Sequence, residues 1–203
     1  FDLSSGKELW SFAYDAPGEF MFPGSRTTPT VDGEHVYTSG ALGDLYALNT
    51  RTQKPVWHKN IWKDFGGGAL PTWGITQNPL VHGDLLIVAS QAPGAGVVAY
   101  DKLTGAVRWK TPSLGDVGYV SPAVVKVDGS DHVVMVTPST NPFQRTSPEN
   151  KLGRIVGIEP LSHEVYGYLP YWRLDAGTVD RLDYDIVSTI AFFGLGIKSN
   201  GAI

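Results

Sequence analysis

The acidic side chains of the segment VDRLDYDIV come closer to a catalytic arrangement than any other residues of this chain. They are Asp180, Asp183 and Asp185. Closely spaced carboxyl groups can serve as general acid and general base, provided that one of them holds a proton where the substrate needs it. The next position at the spacing of Asp183 and Asp185, position 187, is a valine, which cannot donate a proton. We therefore predict solvated acids on a helix and its exit turn, and no catalytic residues.

The other residue types that carry chemistry are scattered along the sequence. The histidines form no HxH or HExxH pair, which argues against a zinc site; they are His35, His58, His82, His132 and His163. Ser162, His163 and Glu164 are neighbours in sequence, which does not make a catalytic triad, and no nucleophile elbow surrounds them. The glycine run 66–68 lacks the Lys and Ser/Thr of a phosphate-binding loop. The sequence predicts neither a metal site nor a catalytic set.

The composition excludes several classes of partner. The 16 basic and 20 acidic residues give a formal net charge of −4, which argues against a nucleic-acid surface or an anionic membrane. No stretch reaches the roughly 18 apolar residues that span a bilayer, and the first ten residues lack the regions of a signal peptide. The absence of cysteine excludes disulfides and thiolate metal sites. The 24 glycines and 14 prolines favour short strands joined by tight turns.

An internal repeat is the clearest signal in the sequence. The segments FDLSSGKELW, YALNTRTQKPVW and VAYDKLTGAVRW each lead through a turn into a short strand that closes on tryptophan. These tryptophans recur about every 50 residues and are Trp10, Trp57 and Trp109. The turns open with Asp or Asn, whose side chains can accept hydrogen bonds from the backbone two residues on. Gly6 and Gly105 suit the positive φ expected at the end of the turn, where the second copy has Gln53.

A second pattern precedes each tryptophan segment from the second copy on. Pro29, Pro79 and Pro122 each lead into a short strand, a glycine-containing hairpin turn and an apolar strand. One copy therefore supplies four short antiparallel strands, the unit of a β-propeller blade. The fold class predicted for residues 1–162 is mainly β, with one partial blade, two full blades and most of a fourth.

These repeats resemble those of quinoprotein (PQQ-like) β-propellers, whose hallmark is [DN]-x-x-[TS]-G-x-x-x-W. The resemblance implies that Trp10, Trp57 and Trp109 dock against neighbouring blades, a structural role. In dehydrogenases of this type a quinone cofactor lies at the propeller centre with Ca²⁺. The adjacent cysteine pair of the alcohol-oxidising members is missing here, and the acids mostly lie in turns. We expect no cofactor, with PQQ and Ca²⁺ as the alternative.

The repeat breaks down in the fourth copy. The offset that aligns Asp101 with Glu159 places Gly167 where a closing tryptophan is due. The segment 163–203 instead resembles the first β-α-β of family 18 glycoside hydrolases, the chitinase-like TIM barrels, so we predict a truncated α/β fragment there. The resemblance implies carbohydrate contact for Tyr168, Trp172 and Phe193, although Tyr168 and Phe193 also suit a core. A divergent last blade and tail is the alternative for this segment.

The function predicted from these patterns is a non-catalytic binding or scaffold module, apparently part of a fusion or a fragment. The alternative is an inactive piece of an enzyme, either a family 18 hydrolase or a quinoprotein dehydrogenase, because the acid expected at Val187 is missing from the family 18 signature. Expected partners are a protein or glycan surface, with self-association through open sheet edges and no nucleic acid. The resemblance implies a periplasmic or extracellular location.

Overall fold

The computed structural model describes residues 1–18, 24–127, 129–137, 154–158, 165–170 and 189–193. Nearly all regular structure in these residues is β-strand, besides the 3₁₀ turn Lys63–Phe65. The predicted mainly β fold with four-stranded antiparallel sheets is therefore confirmed. The chain divides into two compact units, residues 1–113 with 119–122 and residues 114–118 with 123–203. None of the described helical segments has the length and apolar character that crossing a membrane requires.

The first sheet of the first unit contains four antiparallel strands in sequence order. They are β1 (Thr30–Asp32), β2 (His35–Ser39), β3 (Asp44–Asn49) and β4 (Lys54–Asn60). The register places Tyr37, Ala47 and Trp57 side by side on β2, β3 and β4. All three side chains are buried, so this row marks the packed face of the sheet. A bulge after Ala47 then shifts the register of β4.

The second sheet of this unit repeats the arrangement. Its strands are β5 (Leu80–His82), β6 (Leu85–Ala92), β7 (Ala95–Asp101) and β8 (Val107–Lys110). Ile87, Ala99 and Trp109 lie side by side, and a bulge follows Ala99. The tryptophan row and the bulge beside it thus match between the two sheets, which is why the tryptophan spacing in the sequence is a reliable guide to the blades. The pairing of β6 with β7 has a further register shift between Ala89 and Ala92 that the pairing of β2 with β3 does not have.

The burial of each strand follows its place in the sheet. The second sheet's central strands, β6 and β7, are buried on nearly every residue, as expected for strands covered on both faces. The outer strands β4 and β8 bury Trp57 and Trp109 among mostly exposed neighbours. Besides its backbone pairing with β3 or β7, each outer strand is therefore anchored by its buried tryptophan side chain.

The second unit contains a five-stranded sheet in the order β13-β12-β11-β10-β9. Its strands are β9 (Ala123–Val127), β10 (Ser130–Thr137), β11 (Arg154–Ile158), β12 (Val165–Pro170) and β13 (Thr189–Phe193). Strands β9 to β12 pair antiparallel, whereas β13 pairs parallel to β12. Val133, Met135, Val156 and Ile158 form the described part of its core.

The segment 163–203 supplies the outer strands of this sheet. Strand β12 occupies the fourth position, the place that β4 and β8 hold in the other sheets. The parallel pairing of β12 and β13 is the arrangement that a β-α-β unit needs. The connection between them lies outside the described residues, so the α/β fragment stays a prediction.

The register corrects one detail of the repeat alignment. Gly157 occupies the position of Ala47 and Ala99, and its partner on β12 is Tyr166. The expected offset pointed to Gly167 instead. The difference of one residue arises because the pairing of β11 with β12 shows no bulge, whereas both complete sheets contain one at this level.

The beginning of the chain differs from the complete copies. Residues 1–18 form the Asp2 turn, but no strand, although the repeat pattern assigns them to a partial blade. A strand needs a hydrogen-bonded neighbour. Within the described residues, the loop and turn hydrogen bonds of this segment's backbone are two at the Asp2 turn: Asp2 N donates to Lys7 O at 2.8 Å and Gly6 N donates to Asp2 O at 2.8 Å.

Candidate functional site

The turn before each closing strand is built by one side-chain oxygen. Asp101 Oδ1 accepts hydrogen bonds from Leu103 N at 3.1 Å and from Thr104 N at 2.9 Å. Asn49 and Asp2 make the same pair of contacts in their own copies. These bonds favour the carboxylate form: the Thr104 backbone N–H is the main cause of the lowered pKa of Asp101. Hydrogen bonds from Ser5, chiefly from its hydroxyl, and from Ser4 lower the pKa of Asp2 to about 2.

The last residue of each turn has a left-handed backbone. Gly6 and Gly105 have φ values of 68° and 70°, and Gln53 has 59°. Gly105 is required for a second reason, because a Cβ at this position would lie 2.7 Å from Cδ2 of Trp57. Trp57 therefore packs directly on the turn of the next sheet.

We call Trp57, Lys102 and Gly105 the blade joint. Trp57 Nε1 donates to the carbonyl oxygen of Lys102 at 3.1 Å. The indole lies between Tyr37 of its own sheet and Tyr100 of the next, with ring centroids 6.2 and 6.1 Å away. Lys102 Nζ also pairs with Asp32 Oδ2 at 2.7 Å, which adds an ion pair between the same two sheets.

The other two tryptophans of the motif have different surroundings. Trp109 is buried in β8, in the row equivalent to that of Trp57. Trp10 is half-buried and lies in the strandless segment 1–18. In the turn of the next copy, the position equivalent to Gly105 is occupied by Gln53.

Hydrogen bonds between inner strands form a second contact line, which we call the inner ladder. It consists of the residues just before the shared prolines, Thr28, Asn78 and Ser121. Thr28 N donates to Asn78 Oδ1 at 2.7 Å, and Asn78 N donates to Ser121 Oγ at 2.8 Å. Each step uses a backbone N–H of one copy and a side-chain oxygen of the next, and the first step aligns the start of β1 with the start of β5.

Three large side chains lie on the loops that lead into this ladder, and we call them the loop patch. They are Arg26, Trp73 and Tyr119. The Arg26 guanidinium stacks over the indole of Trp73 at 5.7 Å from the ring centroid, and its Nη1 donates to Trp73 O at 3.1 Å. Trp73 N donates to the Tyr119 hydroxyl at 3.4 Å. Trp73 and Tyr119 are 38% and 37% exposed, so both rings can contact a ligand.

A buried polar group supports the residues next to the loop patch. Gln77 Nε2 donates to Gln91 Oε1 at 2.7 Å, and Ser39 Oγ donates to Gln77 O at 3.2 Å. Gln77 Oε1 accepts from Thr76 N at 3.1 Å. These contacts tie the loop before β5 to β2 and to the β6–β7 hairpin.

An aromatic cluster covers the other side of the first sheet. Phe12 and Tyr14 pack on Tyr46 at centroid distances of 5.3 and 4.7 Å. His58 stacks on Tyr46 at 4.2 Å, and its Nε2 lies 3.1 Å from Asp44 Oδ1. Burial, with the nearby Asp44 carboxylate, raises the pKa values of Tyr14 and Tyr46. The cluster fixes the segment before β1 on the sheet by ring packing.

The donor set of the described residues does not fit a calcium-bound quinone. Calcium requires several oxygens that converge on one point. No group of three or more Asp, Glu, His or Cys side chains converges within the described ranges. The acids are instead bound individually, for example Asp44 by Asn60 and His58, and Asp131 by Lys126 at 2.6 Å.

The residues predicted to contact carbohydrate lie partly in the second unit. Tyr168 is in β12 opposite Ala191, and Phe193 is in β13 opposite Pro170. The structure therefore places Tyr168 and Phe193 on neighbouring strands. Trp172 and the three acids Asp180, Asp183 and Asp185 lie outside the described residues, so their predicted roles remain predictions.

Sequence reasoning missed the loop patch. Its members come from three loops; Arg26 and Tyr119 each lie three residues before the shared proline, whereas Trp73 lies six before it, so one spacing does not fit all three. One feature of the sequence could have pointed to the loop patch: a loop between blades recurs before each inner strand, and binding residues often lie on such loops. The positive φ of Tyr119 has no signature in the sequence.

The repeated four-stranded sheets, linked by the blade joint and the inner ladder, define a partial β-propeller. Solved structures show the same fold. Quinohemoprotein alcohol dehydrogenase from Comamonas testosteroni matches with a TM-score of 0.50 and 19% identity, over 72% of this chain and 21% of that one. Quinohemoprotein alcohol dehydrogenase ADHIIG from Pseudomonas putida HK5 matches with a TM-score of 0.50 and 18% identity, over 71% of this chain and 20% of that one. The chain thus spans about a fifth of the length of these enzymes.

The chain belongs to the family described as outer membrane protein assembly factor BamB, whose model matches residues 1–162. The quinoprotein-like resemblance of the repeats is thereby confirmed. No curated protein matches the chain in sequence. The resemblance of residues 163–203 to family 18 hydrolases is supported by its own motifs alone.

Proposed function

We propose that this propeller segment is a non-catalytic scaffold that binds another protein during outer membrane protein assembly. The family description names that process. The proposal implies a periplasmic location. The observation that carries the proposal is that polar side chains, such as those of Trp57, Lys102 and Asn78, bind one blade to the next.

The blade joint and the inner ladder act at opposite edges of the same pair of sheets. Trp57 and Lys102 connect the outer strand of one sheet to the turn of the next, while Thr28 and Asn78 connect the inner strands. Thr30 Oγ1 adds a bond to Pro79 O at 2.5 Å. A frame held at both edges keeps its loops in fixed relative positions, which reduces the ordering entropy of binding.

Binding of an unfolded outer-membrane β-barrel protein tests this function. The barrel protein carries a fluorescent label and is diluted from urea into a titration with the 203-residue chain, with anisotropy as the readout. We expect saturable binding with no chemical change in either protein by mass spectrometry. An unfolded helical protein of similar length is the control. Equal binding of both proteins, or of neither, would contradict the proposal.

A piece of a quinoprotein dehydrogenase is the second candidate, favoured by the likeness to the two alcohol dehydrogenases. It predicts that PQQ with Ca²⁺ changes its absorbance spectrum when the chain is added. The donor set described above argues against this outcome. A saturable spectral change that disappears with a chelator would support the dehydrogenase candidate over the scaffold.

A piece of a family 18 hydrolase is the third candidate, and it concerns residues 163–203. It predicts contact of Tyr168, Trp172 and Phe193 with chitin-type oligosaccharides. Ligand-observed NMR with such an oligosaccharide, compared between the full chain and its Trp172→Ala variant, tests the contact. Absence of saturation transfer in both proteins would exclude glycan binding by this segment.

A further inference from the structure

We infer that two sheet faces of this chain bind each other between copies, so that the first sheet of one molecule receives the third sheet of another. The contact repeats, between molecules, the one that the first two sheets make within a single chain. It involves sheet faces and is distinct from the pairing of strand edges expected from the sequence. The inference concerns self-association and does not depend on the scaffold function.

The contact between the first and second sheets shows what such an interface consists of. Trp57 of the first sheet packs against Tyr100 of the second, and Thr30, in the same row as Trp57, donates to the carbonyl oxygen of Pro79. The receiving face of the second sheet is the one without its own tryptophan, formed by Leu86, Val88, Val98 and Tyr100. Each of these four side chains is at most 2% exposed. The tryptophan row of one sheet therefore covers an apolar face of the next.

The first sheet has the same kind of face, and it is much less covered. The positions equivalent to the receiving face of the second sheet are Val36, Thr38, Tyr46 and Leu48. Leu48 is buried, but the other three are half-buried, and Val31, the neighbour of Val36 on β1, is 67% exposed. We call this surface the open face, and it consists of Val31, Val36, Thr38 and Tyr46. Its burial differs from that of the second sheet because no sheet of the described residues packs on it.

The third sheet carries the complementary face. The register aligns Ala123, Val134, Gly157 and Tyr166 across β9 to β12, the row equivalent to that of Trp57. Val125 and Val136 lie two residues further along β9 and β10, on the same side of the sheet, and are 43% and 41% exposed. Val133 and Met135 point to the other side and are buried. We call the exposed surface the row face, and it consists of Ala123, Val125, Val134 and Val136.

The chemistry of the two faces explains why they bind each other. None of their eight side chains is charged, so contact leaves no unpaired charge in the interface. Repeat proteins bury apolar faces by stacking like units, and a face without a neighbour is polar in soluble members. The open face and the row face are apolar instead. Because they are two different surfaces, the contact between copies is heterologous and continues from one molecule to the next.

Val31→Lys and Val125→Lys each add a charge to one of the two faces. Either variant alone is expected to associate about tenfold more weakly than the parent chain in sedimentation velocity, because the added charge has no partner in an apolar interface. Both positions are exposed, and circular dichroism checks that the variants are folded. Leu103→Lys is the matched control, since Leu103 is 53% exposed in the turn of the second sheet, outside both faces. Its association is expected to stay within about twofold of the parent.

An equimolar mixture of the two face variants is the decisive measurement. The Val31→Lys protein keeps its row face and the Val125→Lys protein keeps its open face, so one binds the other once. We expect the mixture to regain association and to form a dimer with twice the 21.9 kDa mass of the chain. A mixture that associates no better than the separate variants overturns the inference. A parent chain that stays monomeric, or a Leu103→Lys variant weakened as much as the face variants, also overturns it.

Cross-linking tests the contact directly, because the chain contains no cysteine. Val36→Cys and Val134→Cys place one thiol on the open face and one on the row face. With a short bismaleimide, a mixture of the two variants is expected to give a cross-linked heterodimer, whereas each variant alone remains uncross-linked. A Val36→Cys protein that cross-links with itself as readily as with Val134→Cys overturns the assigned pairing of the faces.

Discussion

At the scale of single residues, the repeated turn shows how one backbone position can be filled by different side chains. Gly6, Gln53 and Gly105 share a positive φ, yet only glycine adopts it without strain. Gly105 also provides space for Trp57. The three copies therefore give a set of matched comparisons within one chain.

Gln53→Gly is expected to stabilise the protein by about 0.5–1 kcal/mol, because relief of left-handed strain outweighs the added chain entropy of glycine. Urea denaturation followed by fluorescence measures the change. Gly105→Ala is the opposite case, since both φ and the Trp57 ring oppose a Cβ; we expect a loss of about 2 kcal/mol or more. Equal effects of the two substitutions would contradict the account.

Tyr100→Phe is expected to leave stability unchanged or to raise it by up to about 1 kcal/mol. The Tyr100 hydroxyl is buried and, among the described residues, has no hydrogen-bond partner. Burial raises the pKa of Tyr100, and it raises the pKa of Tyr37 to about 12. Tyr100→Leu is the control, because it removes the ring that packs on Trp57 and should destabilise. A large loss for Tyr100→Phe would reveal a hidden partner.

Asp101→Asn is expected to reduce the sensitivity of the fold to acid. The pKa of Asp101 is lowered in the folded protein, so its carboxylate stabilises the fold above the ordinary value of 3.8, and this contribution is lost as the pH falls below 3.8. Asparagine keeps the accepting oxygen, as Asn49 shows in the second copy. Unfolding free energies at about pH 6 and about pH 2.5 should differ less in the variant than in the parent. If the difference between the two unfolding free energies is the same in the variant and in the parent, Asp101 does not contribute to the acid sensitivity of the fold.

At the scale of strands and turns, much of the fold could be predicted because each copy repeats local chemistry. The prolines before β1, β5 and β9, the hairpin glycines and the closing tryptophans all mark positions that the structure repeats. The one-residue difference at Gly167 arises because the pairing of β11 with β12 lacks the bulge that both complete sheets contain, and a bulge depends on pairing between strands and leaves no mark in the sequence. The loop patch was missed because its side chains meet through inter-blade contacts.

Asn78→Ala tests the inner ladder. The substitution removes the oxygen that accepts from Thr28 N while leaving the backbone donor of Asn78 in place. We expect a loss of about 1 kcal/mol, the usual net value of such a bond. Asn78→Asp keeps the acceptor and should lose less. Thermal unfolding of the three proteins at neutral pH provides the comparison, and equal stabilities would remove the ladder as a stabilising element.

At the scale of the whole molecule, the sheet edges decide how the protein behaves in solution. The edge strands β1, β4 and β8 carry the exposed valines Val31, Val56 and Val107. Unpaired edges with exposed apolar side chains can pair with another chain. We therefore propose that the protein self-associates.

Light scattering over a range of concentrations is expected to show a mass above 21.9 kDa that grows with concentration. Val56→Lys together with Val107→Lys should shift the protein towards the monomer, because lysine on an edge strand opposes pairing. Val31→Ala, which adds no charge, is the comparison. A monodisperse monomer at all concentrations would contradict the proposal.

The blade joint has a consequence for how such chains change over evolutionary time. Among the described residues, the blade joint connects Trp57 to the turn of the copy that follows it, so this connection involves two adjacent copies. Connections between adjacent copies confine the effect of duplicating or deleting a copy to its neighbours. For the same reason, recombination at the boundaries between copies can change the number of blades by one whole copy at a time.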